Sequence, residues 1–156
     1  FAEIPQADTE RIGVVGHGLG GTNALLLAAL DSRIAACVAS SGFTRFETDE
    51  EPERWALESG LVLLPGILEH AQTGQYPLDW EHILALAAPA PTLIITNTKD
   101  ANFSHPDSCK VAVEQAQKAY KLLGAPKAIQ HHAHKEGHKM TFDTLDIADE
   151  WFDRWL

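Results

Sequence analysis

The chain has 156 residues, 45% of them apolar, and 22 acidic residues against 12 Lys and Arg give a formal net charge of −10. This length and apolar fraction are typical of one globular unit with a hydrophobic core, and they exclude an intrinsically disordered chain. Because no cluster of Lys and Arg offsets the acidic balance, the composition argues against nucleic acid or an anionic membrane surface as a partner. Small neutral substrates remain open.

The two cysteines, Cys37 and Cys109, lie in apolar segments far apart in the sequence. This spacing predicts buried thiols, with neither a disulfide framework nor a zinc knuckle, and it favours a reducing, cytoplasmic compartment. No apolar run approaches the roughly 18 residues that a membrane span needs, and no signal peptide is recognised. The chain begins at Phe1 and its first strand follows almost at once, so we expect it to be part of a longer protein.

In chain order, the first elements predicted are a strand, a helix and a second strand. Residues 11–15 form a short apolar run that ends at Gly16, and the Ala- and Leu-rich stretch 20–30 is typical of a helix. Residues 34–40 are apolar on both faces, as expected of a strand inside a covered parallel sheet. Together these segments predict one βαβ unit.

After Gly42 the pattern changes, and we interpret residues 43–88 as a cap-like insertion that ends in a short helix at about 79–87. Insertions of this kind often cover a binding site. Three of its aromatic residues, Trp55, Tyr76 and Trp80, are therefore candidates for lining a substrate pocket. The acidic run from Glu47 to Glu58 is predicted to form a solvated face; it includes Glu47, Asp49, Glu50, Glu51 and Glu53.

The C-terminal part continues the alternation of strands and helices. Residues 92–97 predict a strand, and residues 106–123 predict a helix that Gly124 and Pro126 end. A final strand is predicted at 128–132. The closing helix carries an apolar stripe of Ala148, Trp151, Phe152 and Trp155 at helical spacing. The whole pattern predicts an α/β fold with a mostly parallel sheet and helices on both faces.

The glycine-rich turn between the first strand and the first helix has two chemical interpretations. Gly16, Gly18 and Gly21 match the G-x-G-x-x-G pattern of a dinucleotide-binding turn. Gly16, Gly18 and Gly20 also match the frame of a nucleophile elbow, G-x-S-x-G, with Gly18 in the position of the nucleophile. A tight turn without any chemical role would show the same glycines. The glycines alone therefore do not decide between these interpretations.

The surrounding residues favour the nucleophile elbow. A dinucleotide site expects an acidic residue roughly 20 residues beyond the glycines, and Ser40 and Ser41 stand there instead. Arg45 leaves an NADP-binding module open, since it could meet a 2′-phosphate. A hydrolase expects an acid after a later strand and a histidine after the last strand, in that order. Asp100 and His138 occupy those two places.

Several short motifs support a hydrolase over nearly the whole chain. They are Asp8-x-x-Arg11-Ile12-Gly13, Gly16-His17-x-Leu19-Gly20-Gly21, Asp31-x-Arg33-Ile34, Ser41-Gly42-Phe43, Pro89-x-Pro91, Asp100-Ala101-Asn102-Phe103, Tyr120-x-Leu122-Leu123-Gly124-Ala125 and Gly137-His138. In order and spacing they resemble the C-terminal half of an α/β-hydrolase, in the branch of the dienelactone hydrolases and acetyl xylan esterases. The resemblance implies a carboxylic-ester hydrolase that acts on a small-molecule ester without a cofactor. It leaves the oligomeric state open.

The resemblance also implies a role for each site residue. His138 would be the base and Asp100 the acid that orients it, and the backbone N–H of Leu19 would be one oxyanion donor. A second donor is expected from a loop in the N-terminal part of the fold. His17 lies within the elbow, beside the site.

Position 18 departs from the family pattern, because glycine has no side chain and cannot form an acyl-enzyme. Three explanations stay open. The first is that glycine has replaced serine in an active lineage. The second is that the chain is a non-catalytic relative that binds a ligand, and the third is that His138 activates water directly.

Other residues are weaker candidates. Ser40 and Ser41 do not stand on a sharp turn, as a replacement nucleophile would need to. Asp107 follows Pro106 and is typical of a helix start, so Asp100 is the better acid. The histidine cluster lacks the tight ligand pairs of a zinc site, so no metal is predicted; its members are His105, His131, His132, His134 and His138.

The predicted sheet has fewer strands than a complete α/β-hydrolase and would expose both of its edges. Exposed edge strands are templates for pairing with other chains. We therefore expect the isolated 156 residues to be marginally stable or to aggregate. Light scattering and a thermal melt would check this, and a sharp, reversible transition in a monomer would contradict it.

Overall fold

A computed structural model describes residues 3–57, 64–103 and 105–156, with the side chains of residues 56 and 57 outside that description. The strands are β1 (Ile12–His17), β2 (Ile34–Ser40), β3 (Thr92–Asn97) and β4 (Ile129–His134). The helices are α1 (Leu19–Leu30), α2 (Arg54–Leu57), α3 (Ile67–Thr73), α4 (Trp80–Leu86), α5 (Pro106–Leu122) and α6 (Phe142–Trp155), with a 3-10 turn at Phe46–Thr48.

The four strands form one parallel sheet in the order β1-β2-β3-β4. The inner strand β3 is buried at every position and β2 at all but one, which explains why both are apolar on two faces. The edge strands β1 and β4 are less buried and mix apolar with polar residues. The predicted α/β class with a parallel sheet is therefore confirmed.

Helices cover both faces of this sheet and build a core on each. On one face, side chains of α1, α4 and α5 pack against Cys37, Ala39 and Ile94. On the other face, Ala148 and Trp151 of α6 pack against strand residues such as Val38, which alternates with its two neighbours in β2. Because parallel strands end on the same edge of the sheet, the loops after β1, β3 and β4 are brought to one place.

Two strands run two residues beyond their predicted ends. β1 includes Gly16 and His17, which pair with Ala39 and Ser40 of β2. β4 continues to His134, which pairs with Asn97. The reason in both cases is the neighbouring strand, whose ladder of hydrogen bonds overrides the local glycine and histidine preferences. The turn after β1 is thereby reduced to Gly18.

The segment 43–88 contains more helix than the sequence predicted, because α2 and α3 precede the predicted α4. The prediction of a solvated acidic run is wrong at Asp49, whose side chain is only 4% exposed. Its carboxylate accepts hydrogen bonds from the Arg54 guanidinium and the Trp55 indole N–H, both at 2.8 Å. Residues 58–63 lie outside the described part, and the cap-like role of the segment stays a prediction.

None of the helices in residues 3–57, 64–103 and 105–156 is both long enough and apolar enough to cross a bilayer.

Candidate active site

Gly18 joins β1 to α1 with φ 58° and ψ −127°, a backbone conformation that side chains rarely adopt. Its N–H donates to the Ser40 carbonyl at 2.9 Å, and its carbonyl accepts from the Thr22 N–H at 3.1 Å. The turn is therefore fixed from both sides. A strained residue at a sharp strand-to-helix turn is what defines a nucleophile elbow.

The glycines that flank Gly18 differ in how closely other backbone atoms approach them. A Cβ at Gly16 would lie 2.0 Å from the carbonyl oxygen of Gly20, so only glycine fits there. A Cβ at Gly21 would lie 2.8 Å from the Ser40 carbonyl oxygen. A Cβ at Gly20 would meet no described atom within 4 Å. The elbow therefore needs Gly16 and Gly21 for close approach, and Gly20 is free of that constraint.

Asp100 follows β3 and His138 follows β4, and the two side chains meet. The His138 Nδ1 lies 2.9 Å from Asp100 Oδ2 and 3.0 Å from Oδ1. The Asp100 side chain is 1% exposed and the His138 side chain 28%. The backbone N–H groups of Asn102 and Phe103 donate to Asp100 Oδ1 at 2.9 and 3.2 Å. The backbone therefore holds the carboxylate in place independently of the histidine.

The electrostatic balance keeps Asp100 ionised. Burial raises the pKa of this carboxyl, but hydrogen bonds from His138 and the Asn102 N–H outweigh burial, so its pKa is lowered overall. An ionised carboxylate can only accept hydrogen bonds, so Nδ1 of His138 is the protonated nitrogen. In the neutral ring, the other nitrogen, Nε2, then carries the lone pair that can take a proton.

The free nitrogen of His138 faces the elbow. A Cβ at Gly18 would lie 3.2 Å from His138 Nε2, so a hydroxyl carried by that Cβ would be within hydrogen-bond reach. The structure thus brings Gly18, Asp100 and His138 together, in the geometry of a hydrolase triad without its nucleophilic oxygen. Their catalytic roles stay predictions.

The candidate oxyanion donor is Leu19, the first residue of α1. The first hydrogen bond of this helix runs from the Thr22 N–H to the Gly18 carbonyl. The N–H groups before Thr22 therefore have no carbonyl acceptor inside the helix, which leaves that of Leu19 able to bind an oxyanion.

His138 lies between two other rings. The His17 ring is 4.6 Å from it and the Phe103 ring 5.9 Å, measured between centroids. His17 Nδ1 is 3.0 Å from the Ser40 hydroxyl, and burial, followed by the charge of His138, lowers the pKa of His17. Sequence reasoning missed Phe103 as a site residue; its only signal was its place at the end of the Asp100-Ala101-Asn102-Phe103 motif.

The other predicted pocket residues belong to an aromatic cluster that approaches the site through Trp55, whose ring lies 6.1 Å from that of Phe103. Trp55 is 3% exposed and Trp80 0%, and both pack in an aromatic cluster with Phe46. Tyr76 stacks on Phe46 at 5.6 Å. That they line a substrate pocket stays a prediction, and the burial of the two tryptophans gives it no support.

The competing candidates have other partners. Arg45 donates to both oxygens of Glu81 at 2.8 and 2.9 Å and pairs with Glu47 at 2.9 Å, so its charge is already compensated. Ser40 bonds to His17. Asp107 is exposed in the first turn of α5. The ion pairs of Arg45 weaken the NADP-binding interpretation. Ser41 has a positive φ of 45° directly after β2, but Ser40 and Ser41 are only 0% and 3% exposed, which weakens the replacement-nucleophile interpretation.

The histidine cluster does not converge either. The His131 Nε2 lies 2.7 Å from the Thr96 hydroxyl, and burial lowers the pKa of His131. Within residues 3–57, 64–103 and 105–156, no three His, Cys, Asp or Glu side chains are placed to hold a metal ion.

Comparison with known proteins agrees with this architecture. No family model matches the chain. It is 28% identical over 148 residues to a 2,6-dihydropseudooxynicotine hydrolase of Paenarthrobacter nicotinovorans, covering 77% of this chain and 40% of that protein.

Solved structures also match this architecture. A carbohydrate esterase family 15 glucuronoyl esterase from Caldicellulosiruptor kristjansonii matches with a TM-score of 0.87 and 22% identity, over 98% of this chain and 45% of that one. A glucuronoyl esterase catalytic domain from Hypocrea jecorina matches with a TM-score of 0.74 and 18% identity, over 97% and 46%.

The chain therefore spans less than half the length of the proteins that it resembles. Over that span the TM-scores of 0.87 and 0.74 confirm the predicted fold. The chain is an α/β-hydrolase by fold.

Proposed function

We propose that the protein is a hydrolase of carboxylic esters with a small-molecule substrate. One observation carries the proposal: His138 Nε2 faces the position of a Gly18 Cβ at 3.2 Å while Asp100 holds Nδ1 at 2.9 Å. This arrangement suits proton transfer to and from an oxygen at the elbow. The hydrolase and esterase names of the similar proteins support the same reaction class.

The chemistry follows from the positions of these groups. A nucleophilic oxygen beside Gly18 would attack the ester carbonyl carbon while His138 Nε2 takes its proton. The Leu19 N–H would stabilise the negative charge that develops on the carbonyl oxygen. His138 would then return the proton to the departing alcohol. Asp100 would keep the imidazole in the correct tautomer throughout.

The substrate class is proposed from charge and from the similar proteins. An ester group is uncharged, so a net charge of −10 does not repel it as it would a free carboxylate. Several of the similar structures are glucuronoyl esterases. We therefore propose neutral esters of sugar acids as the first natural substrates to compare with simple aryl esters.

The proposal is tested by hydrolysis of a short-chain aryl ester. The assay compares the full-length protein as its gene encodes it, the Gly18→Ser variant, and Gly18→Ser combined with His138→Ala. We expect Gly18→Ser to be at least about 10²-fold faster than the double variant, because the added hydroxyl lies next to the base. If neither the unchanged protein nor the folded Gly18→Ser variant were faster than the double variant, the protein would be a ligand-binding relative and not an esterase.

A further inference from the structure

The space next to the Gly18 Cα, on the side where a side chain would lie, is bordered by the His138 ring. A Cβ built there would lie 3.2 Å from His138 Nε2 and 3.6 Å from Cε1, and within the described residues, chain neighbours aside, nothing else comes within 4 Å. A water oxygen that donates a hydrogen bond to an imidazole nitrogen lies at about 2.7–3.2 Å. Within the described residues, chain neighbours aside, no side chain other than His138 therefore borders the space between the Gly18 Cα and Nε2, so a water beside Gly18 can donate a hydrogen bond to Nε2.

We propose that this space is a binding site for a small nucleophile and that, in the protein as encoded, a water molecule bound there attacks the ester directly with His138 as general base. The proposal rests on the ester-hydrolase function argued above. It replaces the serine of the family pattern by a second substrate, water, and so needs no acyl-enzyme.

The base, the acid that orients it and one oxyanion donor are retained for attack by water. The Asp100 side chain is 1% exposed and accepts hydrogen bonds from three groups, which are His138 Nδ1 and the backbone N–H groups of Asn102 and Phe103. His138 therefore presents its basic Nε2 to the elbow. Gly18 has the backbone conformation of an elbow, φ 58° and ψ −127°, which glycine adopts without strain, so the N–H of Leu19 keeps its place at the start of α1.

The reaction balances without another reagent. The water oxygen forms a bond to the carbonyl carbon, the carbonyl electrons move to its oxygen, and the water proton moves to Nε2. The tetrahedral species then collapses: the bond from carbon to the alcohol oxygen breaks, and that oxygen takes the proton from Nε2. The products are a carboxylic acid and an alcohol, and the enzyme is unchanged.

A comparison of glycine, alanine and serine at position 18 distinguishes direct attack by water from its alternatives. Gly18→Ala and Gly18→Ser add the same Cβ at the same positive φ, so both carry the same backbone strain. Only alanine blocks the water site without supplying a hydroxyl. We expect aryl-ester hydrolysis in the order serine, glycine, alanine, with glycine at least about 10²-fold above alanine, the lower end of what a general base contributes. Strain alone would instead lower both variants together.

Pre-steady-state kinetics supply a second readout. The Gly18→Ser variant should release a burst of aryl alcohol equal to the enzyme concentration, and the unchanged protein should release none. Hydroxylamine added to the unchanged protein should give the hydroxamic acid in place of part of the carboxylic acid, and Gly18→Ala should lose that product as well.

The outcomes are distinguishable. If the unchanged protein is no faster than Gly18→Ala or than His138→Ala while Gly18→Ser is active, the water route is overturned and the esterase function stands. If Gly18→Ser is inactive as well, both proposals fail. Thermal melts of all variants show whether each is folded, and should Gly18→Ala not fold, the comparison with His138→Ala decides alone.

Discussion

Replacement of Asp100 by Asn in the Gly18→Ser protein is expected to lower kcat for ester hydrolysis about 10⁴-fold. The carboxylate now accepts from His138 Nδ1 at 2.9 Å and is itself held by the Asn102 N–H at 2.9 Å. An amide in its place can donate to Nδ1, which moves the ring proton to Nε2 and removes the base. Because the change acts on proton transfer, KM should move far less than kcat.

Asp107→Asn in the same Gly18→Ser protein is the matched control. It removes a carboxylate seven residues further on, but Asp107 is exposed in the first turn of α5 and belongs to the weaker sequence alternative. We expect its kcat to stay within about a factor of two, since an exposed charge is screened by solvent. A loss for Asp107→Asn as large as that for Asp100→Asn would show that the acid had been assigned to the wrong residue.

Gly16→Ala is expected to destabilise the fold by about 3 kcal/mol or more, at or above the upper end of the range for forcing a side chain into filled space. The new Cβ would lie 2.0 Å from the Gly20 carbonyl oxygen and 2.7 Å from the Gly21 nitrogen. These are backbone atoms, which cannot rotate away as a side chain would. The elbow must therefore open, and ester hydrolysis in the Gly18→Ser background should fall with the loss of structure. Urea denaturation of the full-length protein measures the change.

Gly20→Ala serves as its control within the same turn. Position 20 lies in α1, and a Cβ there meets no described atom within 4 Å. Alanine favours the helix over glycine by about 0.5–1 kcal/mol, so this variant should be slightly more stable. Of these two glycines, the structure packs backbone atoms closely only around Gly16. Equal destabilisation by Gly16→Ala and Gly20→Ala would contradict that packing.

Local pattern was sufficient for the elements whose burial is uniform. β2 and β3 are buried on both faces, and their apolar residues predicted them with the observed bounds. The pattern failed where tertiary contacts outweigh local preference. β1 continues through Gly16 because β2 pairs with it, and Asp49 is buried because Arg54 and Trp55 hydrogen-bond its carboxylate.

The sequence by itself determined the α/β class, the chain order of nucleophile position, acid and histidine, and the lack of a side chain at Gly18. Only the tertiary structure decided that His138 Nε2 faces Gly18 at 3.2 Å and that Asp100 reaches Nδ1. Between 38 and 120 residues of chain separate these three positions, so no local pattern relates them. They meet because parallel strands of one sheet end at a common edge, and the order of the strands and the paths of their loops set the distances there.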